Sequence, residues 1–166
     1  MTLTSAEDLL RTLSEGSFHR FSDWPPASLP NAAAGVYSIW DDRRLVYVGM
    51  SGRGATVEQV LERKALDREW GLKSRLKSHR AGRRSGDQFC VYVGDWLVLP
   101  TLTPSEIQAI STRAMSFDHL IRDFIQSKLG FRFVETESGS AALELERLAR
   151  AGSLGHLPLL NPTEFG

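Results

Sequence analysis

Apolar residues fall along this chain in two periods. Residues 35–40 (Gly-Val-Tyr-Ser-Ile-Trp) and 45–50 (Leu-Val-Tyr-Val-Gly-Met) are rich in β-branched and aromatic side chains, and the polar Asp41-Asp42-Arg43-Arg44 separates them. This pattern predicts a β-hairpin. Residues 131–137 alternate apolar and polar and predict a third strand. Residues 88–99 (Gln-Phe-Cys-Val-Tyr-Val-Gly-Asp-Trp-Leu-Val-Leu) also read as strand, as two short pieces bent at Gly94-Asp95. Helical spacing takes over elsewhere. Thr4 or Ser5 caps a helix over 4–14 with a Leu9, Leu10, Leu13 stripe. Further helices are expected over 56–69 and 72–81. Residues 105–128 are expected to form two helices broken near Ser116-Phe117-Asp118, and 140–151 a last one. Residues 24–34 carry three prolines and read as a connector. Without a regular βαβ alternation, the expected class is α+β with an antiparallel sheet.

The chain has 166 residues, which suits one ordinary domain, and 42% hydrophobic content is enough for a core. Twenty basic and twenty acidic residues cancel, so bulk positive charge does not drive any polyanion binding, and a local patch would have to. The single cysteine, Cys90, excludes an intrachain disulfide and a cysteine zinc cluster, and it reads as a core residue of a strand. A reducing, cytoplasmic setting is the expectation. No apolar run approaches the ~20 residues of a membrane helix, and the first residues lack signal-peptide character.

Three features bear on chemistry. Tyr37 and Tyr47 share a sheet face if the hairpin register pairs them, and a one-residue slip separates them. Residues 71–86 hold six Lys or Arg (Lys73, Arg75, Lys77, Arg80, Arg83, Arg84) and no acid. Such a stripe suits phosphate contacts. Arg75 and His79 lie one helical turn apart on one face. Glu144 and Glu146 stand among the apolar residues of the last helix, and one carboxylate is enough to hold Mg²⁺ with water and phosphate oxygens. Other templates fail. Gly49-Met-Ser-Gly-Arg-Gly54 lacks the Lys-Ser/Thr of a phosphate loop, there is no Gly-x-Ser-x-Gly, and the four histidines lack zinc spacing.

Gly35-Val-Tyr37, nine residues, then Tyr47-Val-Gly49, followed by Arg75, by Ala141-Ala-Leu-Glu-Leu-Glu146 and by Asn161-Pro162, resemble the GIY-YIG nuclease superfamily. The resemblance covers residues 35–49, 71–80 and 131–162 in order. It implies a small three-stranded antiparallel sheet flanked by helices, carried by residues 35–166, with an inserted strand or helical segment at about 88–128. Residues 1–34 would form an N-terminal helix and connector outside it. It further implies hydrolysis of a DNA phosphodiester with one divalent cation, Mg²⁺ or Mn²⁺. In that reading Tyr37 activates water, Tyr47 assists, and Arg75 holds the scissile phosphate. Glu146 (or Glu144) binds the metal, Asn161 braces the site, and His79 shares proton transfer with Tyr37. Arg53, Lys73, Lys77, Arg80, Arg83 and Arg84 would touch nucleic acid, with RNA left open as well as DNA, and Trp70 and Arg53 would line the cleft. Target choice falls to the segments at 50–70, 83–87 and 88–128, to a homodimer or to a partner protein. The competing reading is a catalytically silent nucleic-acid-binding or scaffold module on the same fold.

Overall fold

The computed structural model describes residues 5–162. Helix α1 (Ala6–Glu15) starts at Ser5, whose hydroxyl accepts from the Asp8 N–H while the Asp8 carboxylate accepts back. The other expected cap, Thr4, lies outside the described residues. A two-residue strand β1 (His19–Arg20) follows, and after a loop the long hairpin β2 (Ala32–Asp41) and β3 (Arg44–Ser51). Helix α2 (Val57–Leu66) is closed at its start by a Thr56–Gln59 capping box, and a two-residue strand β4 (Trp70–Gly71) leads into α3 (Leu72–Arg80). Then come α4 (Gln88–Val93), α5 (Pro104–Ser111), α6 (Phe117–Lys128), strand β5 (Leu129–Thr136) and α7 (Gly139–Leu148).

The architecture is α+β. The sheet has five strands rather than the expected three: its order is β1-β5-β2-β3, antiparallel throughout, with β4 pairing in parallel against the start of β2. Three strands are long, and two are two-residue additions at the margins. β1 pairs with β5 through His19↔Phe131, so the N-terminal segment is part of the sheet. β2 is buried along nearly its whole length because helices cover both faces. One face carries Tyr37, Ile39, Val46 and Phe131 against Leu72, Leu76, Phe89, Cys90, Ile121 and Ile125 from α3, α4 and α6. The other carries Val36, Trp40, Leu45, Val48 and Val134 against Leu13 of α1 and Ala142 and Leu145 of α7.

The expected strands at 88–99 are helical instead. The Asp87 side chain caps the Cys90 N–H, and Phe89, Cys90 and Val93 then fall on one buried helical face. The helix continues as a wide π-type turn (Gly94–Val98). The β-rich composition was overridden by a cap and a core that suit a helix. Cys90 is buried as expected, but on a helix, and burial pushes its thiol far above the ordinary range. Among the described residues, no helix is long and apolar enough to cross a membrane.

Candidate active site

The hairpin register decides what the two tyrosines do. Tyr37 pairs with Gly49 and Ile39 with Tyr47, while Trp40 pairs with Leu45, so Val46 is an extra bulged residue. The bulge re-aims the strand immediately before Tyr47. Tyr37 and Tyr47 end on one face as diagonal neighbours, ring centroids 6.5 Å apart. Glycine is required opposite Tyr37, because a side chain at Gly49 would collide with the phenol oxygen and ring. Gly35 is held equally close to the Val134 carbonyl of the neighbouring strand.

Beneath Tyr37 lies a chain of buried polar groups. The Tyr37 hydroxyl is 2.7 Å from His79 Nε2, and His79 Nδ1 is 2.7 Å from Asp87 Oδ2. Burial lowers the His79 pKa although Asp87 pulls the other way, so the imidazole is neutral at pH 7. Burial pushes the Asp87 carboxyl up, but the bonds from His79, Cys90 N–H and Ser78 outweigh it and keep it ionised. An ionised Asp87 only accepts, so Nδ1 carries the imidazole proton and Nε2 is left to accept from Tyr37. Asp87 also accepts from the Ser78 hydroxyl at 3.0 Å and the Cys90 N–H at 3.3 Å. Oδ1 therefore caps the start of α4, while Oδ2 holds the imidazole and a hydroxyl of α3.

Above Tyr37 opens a cavity of about 430 Å³, into which Tyr37, Tyr47, Arg53, Arg75, Glu146 and Asn161 all face. Burial raises the Tyr37 pKa well above the ordinary tyrosine value, with the Tyr47 oxygen adding to it and the Arg75 guanidinium opposing. Tyr47 is raised by burial as well, and Arg75 opposes that too. Arg75 is thus the cation beside both phenols, delivered from α3 one turn before His79. Asn161 is a brace: its amide accepts from the Val48 N–H and donates to the Val48 carbonyl, both at 2.8 Å, which pins the C-terminal segment to β3 between Tyr47 and Gly49.

The two glutamates separate cleanly. Glu146 is 7% exposed and lines the cavity, whereas Glu144 lines a different cavity with Ala6 and Leu9 of α1. Burial raises the Glu146 pKa, with Arg150, Arg53 and Arg147 opposing; the Arg150 guanidinium stands at 3.9 Å, long for an ion pair. A desolvated, incompletely compensated carboxylate at the wall of a wet cavity fits one Mg²⁺ or Mn²⁺, which takes one or two carboxylates and completes its shell with water and phosphate oxygens. Glu146 is the acidic residue among those lining this cavity, so it is the carboxylate that could hold such an ion there.

Several side chains of the basic stripe have partners within the fold. Lys73 donates to Asn31, Lys77 pairs with Glu69, Arg80 holds the Phe21 carbonyl and Arg84 pairs with Asp118 while lying over the Phe117 ring. Neither these four nor Arg83 lines the cavity. The two acids that pair with it lie outside the run, Glu69 just ahead of it and Asp118 far along the chain. Arg53 does reach the cavity, while Trp70 lines a neighbouring one of about 320 Å³ beside Arg53 and Arg63. Asp87 was missed. Its signal in the sequence was an N-cap residue ahead of Phe89-Cys90, but that segment reads as strand and so offers no cap. In comparisons with known proteins, no family model, no curated protein and no solved structure matches this chain.

Proposed function

We propose that the chain is a metal-dependent endonuclease of the GIY-YIG type, hydrolysing a phosphodiester of DNA. One observation carries the reading. Tyr37, Tyr47, Arg75, Glu146 and Asn161 come from five separate segments and converge on one cavity, and Tyr37 rests on a histidine–carboxylate pair. That set supplies a phosphate clamp, a proton acceptor and a carboxylate for a cation.

The chemistry follows from the protonation states. A standing phenolate is disfavoured, because burial raises the Tyr37 pKa. Tyr37 need not ionise first. As water attacks phosphorus, its proton passes to the Tyr37 oxygen while the Tyr37 proton passes to His79 Nε2, and the ionised Asp87 stabilises the imidazolium that forms. This is the carboxylate–imidazole arrangement of hydrolytic triads with a phenol at its head. Arg75 holds the non-bridging oxygens, where charge builds up in the transition state, and Tyr47 beside it orients the attacking water. A cation at Glu146 would neutralise charge on the phosphate and on the leaving alkoxide.

The test is cleavage. Wild type and Glu146→Gln are incubated with supercoiled plasmid, branched DNA and single-stranded RNA, with Mg²⁺, Mn²⁺ or EDTA. Metal-dependent cutting by wild type alone is the expected result. Binding without cutting of any substrate overturns the nuclease reading and assigns the silent module.

A further inference from the structure

The wall of the cavity formed by α4 has a feature that cleavage does not require. Gln88 and Tyr92 line the cavity, and Trp96 follows four residues on, so the three form one stripe leading outward along the helix. The Trp96 indole stacks on the Tyr92 ring, centroids 5.4 Å apart and planes 19° from parallel, and Trp96 is 53% exposed. The pair is rigidly held. Phe89, Cys90, Val93 and Val98 bury the opposite face of this segment, and Gly94 packs against the end of the Ile121 side chain. The π-type turn over Gly94–Val98 sets the direction in which Trp96 points.

We infer that Tyr92 and Trp96 form a stacking platform for an unpaired base whose phosphate is held at Arg75. The ligand class follows from the two ends of the stripe. Arg53, Arg75 and Arg150 line the cavity end and suit an anion. At the outer end the exposed Asp95 adjoins Trp96, which disfavours a phosphate there and leaves an uncharged, flat group as the fitting occupant. A nucleotide supplies both parts, an anion and a π-face, and Gln88 between them offers an amide to a base edge. A base within a duplex has both faces covered, so the strand must be single or splayed at this point. The inference shares the nucleic-acid ligand of the nuclease reading but does not depend on cleavage.

The test is binding of fluorescently labelled strands to the full chain in EDTA, read by anisotropy. The strands are single-stranded DNA, single-stranded RNA, the fully paired duplex, a duplex with a single-stranded branch, and an abasic DNA strand of the same length. The expected result is that wild type binds the single-stranded and branched forms roughly tenfold or more tightly than the abasic strand or the duplex. Trp96→Ala removes that preference, Trp96→Phe keeps most of it, and Arg75→Ala weakens the normal and abasic strands alike. DNA and RNA arms that respond equally to Trp96→Ala still support the platform and show only that it does not read the sugar. Equal binding of normal and abasic strands, or an unchanged Trp96→Ala, overturns it. So does binding to none of them, which leaves the exposed indole to a protein partner. Base-dependent binding by a wild type that cuts nothing sustains the platform and sinks the nuclease reading alone.

Discussion

Asp87→Asn changes one oxygen to an amide nitrogen, and the structure determines where that nitrogen goes. Asp87 Oδ1 accepts from the Cys90 N–H at the start of α4, while Oδ2 accepts from His79 Nδ1 and from the Ser78 hydroxyl. In the variant the amide oxygen must stay on Cys90, since the reverse orientation sets donor against donor. Asparagine is as good an N-cap as aspartate, so α4 keeps its start. The amide NH₂ then faces His79 Nδ1, and the Ser78 hydroxyl rotates to accept. His79 Nδ1 becomes an acceptor, its proton moves to Nε2, and Nε2–H now points at the Tyr37 oxygen. Tyr37 has lost the group that takes its proton.

The stability change is small. Hydrogen bonds to a charged group are worth about 1 kcal/mol more than neutral ones, and the relief of a buried charge offsets part of that loss. A net change of about 1 kcal/mol moves Tm by about 2–4 °C in a chain of this size. The change in rate is large. The wrong tautomer in a serine-protease triad costs about 10⁴ in kcat, and general-base contributions run at about 10²–10⁴, so cleavage should fall by about 10²- to 10⁴-fold. Single-turnover cleavage of end-labelled branched DNA in Mg²⁺ between pH 6 and 9 measures it, and ¹⁵N NMR of His79 reports the tautomer. The wild-type acid limb should lie below the ordinary histidine value, because burial lowers the His79 pKa. The variant's limb should lie lower still, since the carboxylate that opposed that shift is gone. A variant within threefold of wild type, or an imidazole still protonated at Nδ1, refutes the relay.

Glu146→Gln should abolish metal-dependent cleavage and raise Tm in EDTA. A carboxyl whose folded pKa is raised destabilises the fold as pH climbs through that value, and the amide removes the effect; Glu144→Gln should change neither readout. Arg75→Ala should reduce cleavage by about 10²–10³ or more, through loss of charge stabilisation, with far-ultraviolet circular dichroism unchanged. Tyr37→Phe should abolish cleavage and also leave His79 Nε2 without its partner, at about 1–3 kcal/mol in a urea titration. His79 has a lowered folded pKa, so its stabilising contribution is full above about pH 6.5 and is lost as pH falls through the folded value. Urea midpoints between pH 7.5 and 5 should fall in wild type, and His79→Gln should flatten that slope.

Much of the molecule was legible because its signals are local. The three long strands, the helices over 57–66 and 72–80 and the break ahead of Phe117 all follow from period, caps and turn residues. The shared face of the two tyrosines was legible only up to a choice of register, and the bulge at Val46 made that choice. Glu146 and Glu144, two residues apart, could not be told apart until α7 was set against the sheet, because a helix turns successive positions about 100° each and burial picks one side. The strands at 88–99 failed for a reason tied to the site. Phe89, Cys90 and Val93 satisfy a buried helix face as well as a strand, and the deciding group is Asp87, whose side chain caps the Cys90 N–H.

The charge pattern shows the same limit from the opposite side. Residues 71–86 look like a phosphate stripe because their acids fall outside that window: Glu69 stands just before the helix, and Asp118 lies in α6. In the folded chain Lys73, Lys77 and Arg80 tie α3 to Asn31, Glu69 and the Phe21 carbonyl, and Arg84, beyond the helix, pairs with Asp118. The cations left facing the cavity are Arg53 from the loop after β3, Arg75 from α3 and Arg150 beyond α7, which no local window joins. A chain of zero net charge can therefore present a cationic cavity, because convergence rather than composition concentrates the charge. Three such contacts predict a shallow salt dependence, with log Kd against log salt at a slope of about 2–3. A slope near that of a six-phosphate contact, about 5, would mean that the outer stripe binds nucleic acid after all and that its ion pairs with Glu69 and Asp118 open to let it do so.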